Sequence, residues 1–308
     1  MSGAPTIGVV VPTWNRPEEA AACAAALARA DHPRRFTVVV DSGSRPPARA
    51  ALAAALADAD RTSIVALDEN RGFAGAVNAG LREAFGRGAD AVLVLNDDAT
   101  AAPDVLTTLA AVLRSRPDAG ILAPRVLDEP SGREVSRGER VVVPLLCLPR
   151  TWLRVRGAAA RPYDVTGVLG VAFLVTRACW EAVGPLAEPF FAYYEEVDYC
   201  LRARAAGFRI VVVPAASVRH AGFRGFAGGF TPLAAYLKAR NLPLLARRHA
   251  GVLDWLVFAP TYAALVLASA LGYALRGGAG ILPALARGVA DALRARSGPP
   301  PAALFHPN

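Results

Sequence analysis

Short apolar runs alternate with helical segments over the first 125 residues of the chain. The runs are rich in Val, Ile and Leu, and they lie at residues 7–12, 36–40, 62–67, 89–95 and 119–124. Strands that are apolar on both faces and alternate with helices are typical of a mostly parallel sheet covered by helices on both sides. The pattern therefore predicts an α/β fold for this part of the chain.

The pattern changes after residue 125. Residues 126–164 have no clear period and include a basic stretch at 150–161, which favours a loop. Further elements are predicted as a buried strand region at 164–177, a helix from about 195 to 207 and a strand at 208–214. From about residue 232 onward the chain has the pattern of a helical region.

The positive charge of the protein is concentrated near its C-terminus. The 308 residues, 54% of them apolar, carry a net charge of +8. Residues 1–218 hold 24 basic and 24 acidic side chains, whereas residues 219–308 hold 10 basic and two acidic ones, a difference of +8. A neutral body with a basic tail favours an anionic partner near the tail. No groove-reading motif for nucleic acid is present, so a membrane surface is the favoured partner.

One segment in the basic tail is strongly apolar. Residues 255–275 contain no charged side chain over 21 residues, although Pro260 and Gly272 interrupt the run. About 20 apolar residues suffice to cross a bilayer. A buried hairpin and an interfacial helix are equally compatible with the pattern. The N-terminus lacks a basic stretch before its first apolar run, so no signal peptide is expected.

Polar residues follow several of the predicted strands. They are Pro12-Thr13, Asp41, Asp68 and Asn96-Asp97-Asp98. In open parallel sheets, ligands bind at the carboxyl ends of the strands. Neighbouring oxygen ligands of this kind suit Mg²⁺ or Mn²⁺. The alternative for each set is an ordinary turn, in which Asn and Asp bond the local backbone.

A second group of acids lies in the stretch FFAYYEEVDYCLR at residues 190–202. If a helix begins near Glu195, then Glu195 and Asp198 share one face, and Asp198 can pair with Arg202 one turn later. Glu196 projects about 100° away from that face. Acids are also favoured at a helix N-terminus by the helix dipole, so a charged helix start is the structural alternative to a catalytic group.

These motifs together resemble family 2 glycosyltransferases, in particular the rhamnosyltransferase-like and galactofuranosyltransferase-like members. The resemblance spans roughly residues 7–245 and is carried by VVVPTWNRP (9–17), TVVVDSGS (37–44), DENRGFAGAVNAGL (68–81), VLVLNDDA (92–99), the segment 183–220 and YLKARNLPLL (236–245). It implies a GT-A fold over residues 1–230. The nucleotide-sugar half would span about residues 1–125 and the acceptor half residues 126–230, followed by a basic, apolar helical region at 231–308.

The resemblance also implies roles for individual residues. Glu196 matches the general base, with Glu195 and Asp198 beside it, and Asp98 and His220 match the metal ligands. The donor-binding residues would be Pro12, Thr13, Asp41, Asp68, Arg71, Asn78, Asn96 and Asp97, and the acceptor pocket would be walled by Phe191, Tyr193 and Tyr194. The chain carries Asn96 and Glu196 at two positions where the family usually has Asp.

The resemblance implies an inverting transfer of one sugar that depends on Mg²⁺ or Mn²⁺. The expected donor is a nucleoside-diphosphate sugar, with dTDP-L-rhamnose favoured and a UDP-sugar such as UDP-galactofuranose as the alternative. The acceptor would be a glycan, a lipid-linked molecule or a small molecule, in cell-wall or polysaccharide synthesis. The expected location is the cytoplasm, peripheral at the inner face of the cell membrane. A non-catalytic homologue that binds nucleotide sugars or acts as a membrane scaffold is the second hypothesis.

Overall fold

The computed structural model describes residues 3–147, 160–221 and 230–305. Its strands are β1 (Ile7–Thr13), β2 (Arg35–Ser42), β3 (Thr62–Leu67), β4 (Ala91–Leu95), β5 (Ala99–Ala101), β6 (Ala119–Asp128), β7 (Glu134–Ser136), β8 (Tyr163–Val165), β9 (Ala172–Thr176) and β10 (Arg209–His220). Its helices are α1 (Pro17–Ala28), α2 (Pro46–Ala55), α3 (Gly72–Gly86), α4 (Val105–Ser115), α5 (Arg177–Val183), α6 (Glu195–Ala205), α7 (Pro232–His249), α8 (Asp254–Leu275) and α9 (Leu282–Leu293).

The strands form one mostly parallel sheet. Its order is β3-β2-β1-β4-β9-β6-β10-β5, with β7 paired to β6 and β8 paired to β10. Strands β1, β2, β3 and β4 are mutually parallel, and β6 is parallel to β10. The predicted α/β fold with a mostly parallel central sheet is confirmed.

Helices cover both faces of this sheet. Along β1, Val9 and Val11 point into one apolar cluster and Val10 into the other, as the two-residue period of a strand requires. The first cluster is closed by apolar residues of α1, α2 and α4, and the second by those of α3, α5 and α6. A strand that is apolar on both faces is therefore buried on both, which explains the continuous Val, Ile and Leu runs.

The region after residue 231 is helical, as the sequence predicts. The longest two helices are α7, with 18 residues, and α8, with 22. Helix α7 is the buried one, and it packs against α9 through a close approach at Gly288, where an added Cβ would lie 2.4 Å from the Tyr236 carbonyl oxygen. Thr231 caps α7, because its side chain accepts a hydrogen bond from the backbone N–H of Ala234.

Two features of the sheet differ from the predicted pattern. The apolar region at 164–177 holds two strands, and β9 runs antiparallel between β4 and β6. The short strand β5, directly after the Asn-Asp-Asp turn, was not predicted, because three residues are too few to show a period. Most of the basic stretch predicted as a loop at 150–161 lies outside the described residues.

Candidate active site

The strand order reverses at β1, which places a crevice at the carboxyl ends of β1, β2 and β4. From β1 the chain adds β2 and β3 on one side and then returns to add β4 on the other. The parallel register sets Thr13 at the end of β1 opposite Asp41 of β2. Ligands of open α/β sheets bind at such a switch point. The polar residues predicted at the strand ends therefore lie at the edge of the sheet suited to ligand binding.

Asp97 is buried between Thr13 and Arg16 in this crevice. The Thr13 hydroxyl donates to Asp97 Oδ2 at 2.8 Å, and Arg16 Nη1 donates to Asp97 Oδ1 at 2.9 Å. Burial raises the pKa of Asp97 to about 6, although Arg16 and Thr13 act in the opposite direction. The sequence predicted Thr13 and Asp97 as donor-site residues, but it did not single out Arg16.

The structure brings Asp98 and His220 together. Strand β5 pairs antiparallel with the end of β10, so that His220 stands opposite Ala99. His220 Nε2 lies 3.0 Å from Asp98 Oδ1, and Arg16 Nη1 lies 3.3 Å from Asp98 Oδ2. Burial opposes ionisation of Asp98, but His220 and Arg16 outweigh it and keep the pKa of this carboxyl below its ordinary value. Residues 122 positions apart in sequence thus share one site.

The oxygen and nitrogen atoms at this edge of the sheet fit a hard divalent cation that is coordinated partly by protein side chains and partly by a phosphate of the substrate. Asn96 Oδ1 is buried and has no hydrogen-bond partner within the described ranges, so it is an available oxygen ligand beside Asp98 and His220. The described residues contain no group of three or more His, Cys, Asp or Glu side chains arranged to hold a metal alone. Mg²⁺ is commonly held by one or two carboxylates together with substrate phosphates, and this set suits that mode.

The Asp41 turn is built by contacts to two neighbouring elements. Asp41 is fully buried and accepts hydrogen bonds from the Ser44 N–H at 3.0 Å and Arg49 Nε at 2.7 Å. Gly43 has a φ of +70°, and a Cβ there would lie 2.3 Å from the Glu69 carbonyl carbon. Glycine is therefore required, and the turn packs tightly on the loop before α3. Pro12 lies buried in β1, whereas Asp68 is exposed.

Arg71 and Asn78, both predicted to contact the donor, connect α3 to the segment before α6. Arg71 Nη2 lies 2.5 Å from Glu188 Oε2. The buried Asn78 amide accepts from the Leu186 N–H at 2.9 Å and donates to the Leu186 carbonyl at 2.9 Å and to Glu188 Oε1 at 3.1 Å. Both side chains therefore position residues 186–188 in this structure, and Glu188 is a partner that the sequence did not indicate.

The aromatic residues before α6 form a strained turn. Phe191, Tyr193 and Tyr194 have φ values of 66°, 69° and 75°, in the left-handed region that disfavours residues with a Cβ. Asn241 of α7 holds this turn, because its Nδ2 donates to the carbonyl oxygens of Phe190, Ala192 and Tyr193 at 2.9, 2.8 and 3.0 Å. These contacts offset a conformation that costs about 1–3 kcal/mol for each strained residue.

The neighbouring Arg240 adds a fourth contact to the same turn. Arg240 is 1% exposed, and its Nη2 donates to the Phe190 carbonyl at 2.9 Å. Its Nη1 donates to the Gly298 carbonyl at 2.6 Å. A buried arginine is therefore used to join the turn to the C-terminal segment after α9.

Glu195 and Glu196 begin α6 immediately after this turn. Both are buried, 4% and 5% exposed, at a helix N-terminus where the dipole favours acids. A Cβ at Gly170 would lie 3.5 Å from Glu196 Cδ, so the backbone of Gly170 borders this carboxyl group. The adjacent Val171 carbonyl accepts a hydrogen bond from the Asn96 N–H at 3.0 Å. The segment 170–171 thus connects Glu196 to the acidic strand end at 96–98.

Asp198 has a different environment, in which it joins α6 to α7. It accepts hydrogen bonds from Arg202 Nε at 2.8 Å and Arg248 Nε at 2.7 Å, and His249 Nε2 lies 2.9 Å from it. Burial opposes ionisation, but His249, Arg248 and Arg202 together lower the pKa of Asp198 to about 2. The predicted pair with Arg202 is confirmed. Asp198 was grouped with the catalytic acids, and its contacts give it a structural role.

The predicted acceptor aromatics are the residues of the strained turn, and they contact α3 and α7. Phe191 packs with Leu233 and Leu237, and its carbonyl accepts a hydrogen bond from the Ala74 N–H at 3.1 Å. Lys238 Nζ lies 4.9 Å from the centroid of the Tyr193 ring. Burial and the charge of Glu195 raise the pKa of Tyr193. The aromatic turn is therefore fixed by the first turn of α3 on one side and by α7 on the other.

Sequence reasoning missed four residues that organise the site. They are Arg16, Glu188, Arg240 and Asn241. Arg16 lies in the motif VVVPTWNRP, and Arg240 and Asn241 lie in YLKARNLPLL. The motifs were recognised, but the contacts by which these side chains organise the site reach residues 48 or more positions away in sequence, so the pattern carried no signal of them.

Comparison with known proteins identifies related chains. The family model "Glycosyl transferase family 2" matches residues 8–180, more than half of the chain. An N-acetylglucosaminyl-diphospho-decaprenol L-rhamnosyltransferase of Mycobacterium tuberculosis is 31% identical over 205 residues, which cover 59% of this chain and 66% of the relative. A dTDP-rhamnosyl transferase of Shigella flexneri is 23% identical over 199 residues, 61% of this chain and 64% of the relative. The matches span less than two thirds of these curated relatives' own lengths.

A solved structure shares the fold over nearly the whole chain. It is the mannosyltransferase PcManGT from Pyrobaculum calidifontis, in complex with GDP-Man and Mn²⁺. The TM-score is 0.60 at 19% sequence identity, and the match covers 95% of this chain and 88% of that one. At this identity the likeness concerns the fold, and it agrees with the predicted GT-A architecture.

Proposed function

The chain belongs to glycosyl transferase family 2, and on that premise we propose that it transfers one sugar from a nucleoside-diphosphate donor to an acceptor hydroxyl. The proposal rests on one observation, the connection between the acidic strand end at residues 96–98 and the carboxyl group of Glu196. The strand end at Asn96–Asp98 is hydrogen-bonded to Val171, and the adjacent Gly170 borders the carboxyl group of Glu196. A cation-binding edge and a candidate base thus lie on the two sides of one short segment.

Glu196 acts as the general base in this proposal. Its carboxylate takes the proton of the acceptor hydroxyl while that oxygen forms a bond to the anomeric carbon of the donor. The bond from the anomeric carbon to the diphosphate breaks in the same step, and the nucleoside diphosphate leaves with the bonding electrons. Because attack and departure occur on opposite sides of the carbon, the configuration inverts. The strained turn before Glu196 fixes where its helix begins and so aims the carboxylate.

The crevice at β1, β2 and β4 binds the donor. Asp98 and His220 would hold Mg²⁺ or Mn²⁺, with Asn96 as a further oxygen ligand. The bound cation supplies positive charge against the leaving diphosphate. Arg16 contacts Asp97 and Asp98 in this structure, and its positive charge offsets part of theirs.

We favour dTDP-L-rhamnose as the donor and a lipid-linked glycan as the acceptor. Two relatives are named as rhamnosyl transferases, and the name of one of them describes an acceptor sugar on diphospho-decaprenol. A UDP-sugar is the alternative donor. Thermal unfolding with dTDP-rhamnose or UDP-sugars, each with and without Mn²⁺, discriminates between them, because a ligand that binds the native state raises its stability.

The Glu196→Gln variant tests the mechanism. It keeps the size and hydrogen-bonding capacity of the side chain but removes its basicity, so the transfer rate should fall at least about 100-fold, the usual contribution of a general base. Donor binding should be unchanged. Glu181→Gln on the exposed face of α5 is the matched control and should transfer at the wild-type rate. Wild-type turnover by Glu196→Gln would exclude Glu196 as the base, and the absence of transfer by the wild type across donors and acceptors would favour a non-catalytic binding protein.

A further inference from the structure

Helix α8 and the connection that precedes it expose a continuous apolar surface. We call this surface the ridge, and define it as residues 252–275. Six of its large side chains are between 60% and 87% exposed, namely Val252, Leu253, Leu256, Leu267, Leu271 and Leu275. The smaller exposed residues of the same face, Ala259, Pro260, Ala263, Ala264, Ala268 and Ala274, are also apolar. A helix on the surface of a soluble protein normally turns charged and polar residues toward water, and α8 does not.

The opposite face of α8 is fixed to the protein along the length of the helix. Phe258 packs with Leu242 and Ala246 of α7, and the Tyr262 hydroxyl donates to the Ala239 carbonyl at 2.8 Å. Near the other end, Tyr273 packs with Ile281 and Leu285. Helix α8, with 22 residues, is therefore a rigid strip about 33 Å long, at 1.5 Å per residue. It is attached to the body on one side and open on the other.

Two ordinary explanations of an apolar helix do not apply. Among the described residues, α8 is the one helix that is long and apolar enough to cross a membrane, with a mean hydropathy of 1.6 over its most apolar window. Only 6% of that window is buried, so α8 is not a core helix. It follows the folded α/β region and α7, so it is not an N-terminal leader. Crossing a bilayer alone would strip α8 from α7 and α9, so a position in the plane of the interface keeps its existing contacts.

Basic side chains stand at both ends of the ridge. Arg247 is exposed in the last turn of α7, shortly before the ridge begins, next to Arg248, which pairs with Asp198. Arg276 is exposed directly after the ridge ends. The single acid within it, Asp254, accepts a hydrogen bond from the Gly251 N–H at 2.8 Å at the start of α8. The net charge of residues 219–308 is +8, whereas the rest of the chain is neutral. An apolar strip bounded by arginines complements the acyl region and the anionic headgroups of a lipid surface.

We propose that the ridge docks on an anionic membrane surface, with α8 lying in the interface of one leaflet and the arginines at its ends contacting lipid headgroups. Docking brings the candidate active site close to the lipids, because Tyr194 of the strained turn shares an apolar cluster with Leu242 and Phe258. The consequence for the acceptor rests on the proposed function, whereas docking itself does not.

Co-sedimentation of the full chain with vesicles tests the docking. The vesicles contain either phosphatidylcholine alone or phosphatidylcholine with phosphatidylglycerol, at low and at high salt. The protein should bind the anionic vesicles at low salt, and high salt should weaken the binding because exposed charges are screened. The combined Leu267→Ser and Leu271→Ser variant should bind at least about tenfold more weakly, from the loss of two buried leucines. Ile64→Ser removes an exposed apolar side chain from β3 and is the matched control.

Each outcome decides the proposal. Both leucines are exposed, so the variant should unfold at the wild-type temperature, and a melting curve checks that its fold is intact. Failure of the wild type to bind anionic vesicles at low salt would overturn the proposal, and so would equal binding by the double leucine variant. A wild-type dimer in solution that the leucine variant converts to monomers, without any vesicle binding, would assign the ridge to a second copy of this chain. Sugar transfer is measured separately with soluble substrates, so failure to dock leaves the proposed function untouched.

Discussion

Three non-glycine residues with positive φ stand directly before the candidate base. Strain of this kind persists only where surrounding contacts hold it, and it is concentrated at functional sites. Here the holding contacts come from Asn241 and Arg240, which lie about 50 residues further along the chain. We therefore expect the side chain of Asn241 to act as a positioning group for Glu196, because it holds the turn from which α6 begins.

The Asn241→Ala variant should lose turnover more than donor binding. Removal of the amide leaves the carbonyls of Phe190, Ala192 and Tyr193 without these donors, which should cost about 1–3 kcal/mol of unfolding free energy. The kcat should fall at least about tenfold, the effect of about 1.4 kcal/mol on a transition state. The Kd of the nucleoside diphosphate should stay near the wild-type value. Kinetics and calorimetry measure the two quantities.

A matched variant separates positioning from stability. Tyr262→Phe removes the hydrogen bond from α8 to the Ala239 carbonyl, which costs a similar free energy of about 1 kcal/mol. It should leave kcat unchanged, because it does not touch the strained turn. If both variants lowered kcat by the same factor, the role of Asn241 would be stability alone.

At the scale of single residues, the sequence indicated candidate residues of the site but not the side chains that contact them. Asp98, His220 and Glu196 were singled out by their places in motifs that resemble a known family, and their roles in the site stay predictions. Arg16 was missed, since an arginine before a helix is usually a solvated side chain and its contact with Asp97 spans 81 residues. The positive φ values of Phe191, Tyr193 and Tyr194 had no signal either, because aromatic residues rarely adopt that conformation.

At the scale of elements, the alternating apolar pattern was enough to predict the parallel strands and their helices. It did not predict that β9 runs antiparallel between β4 and β6, because a buried strand has the same apolar sequence in either direction. Strand β5 was missed because its three residues are too few to show a period. Its pairing with β10 nevertheless places His220 beside Asp98. Strand β5, which the sequence pattern did not indicate, is therefore the element that brings the two predicted metal ligands together.

The junction of α6 and α7 depends on the ionised carboxylate of Asp198. Its pKa of about 2 lies below the ordinary 3.8, and each unit of difference is about 1.4 kcal/mol. The ionised side chain therefore stabilises the folded state by about 2–3 kcal/mol at neutral pH. Because the folded pKa is the lower one, this contribution is fully present above the unfolded pKa and is lost as pH falls through about 2.

Urea unfolding of Asp198→Asn measures this contribution. The variant should be about 2–3 kcal/mol less stable than the wild type at pH 7, and the difference should shrink as the pH is lowered below 3.8. Asp118→Asn is the control, since Asp118 forms an exposed pair with Arg116 and should change stability little. A constant difference between wild type and Asp198→Asn at all pH values would contradict the role of the charge.

On the scale of the whole molecule, the excess positive charge and the exposed apolar surface belong to a different part of the chain from the crevice. The neutral body carries the strand-end acids, whereas the last 90 residues carry the excess positive charge and the ridge. The sequence predicted a basic, apolar helical tail and left open whether the segment 255–275 was buried, interfacial or spanning. The contacts along one face and the exposure of the other favour the interfacial arrangement, a distinction that composition cannot make.

If the acceptor is carried by a membrane lipid, loss of the ridge should affect transfer only when the acceptor is in a bilayer. The Leu267→Ser and Leu271→Ser variant should transfer sugar to a short-chain, water-soluble analogue at the wild-type rate, because neither leucine is in the crevice or the strained turn. With a long-chain acceptor embedded in anionic vesicles, its rate at limiting protein should fall about tenfold, in proportion to the lost membrane binding. Equal losses with both acceptors would mean that the substitutions disturb the site. Wild-type rates with both would mean that the acceptor reaches Glu196 from solution, and the ridge would then have no part in its delivery.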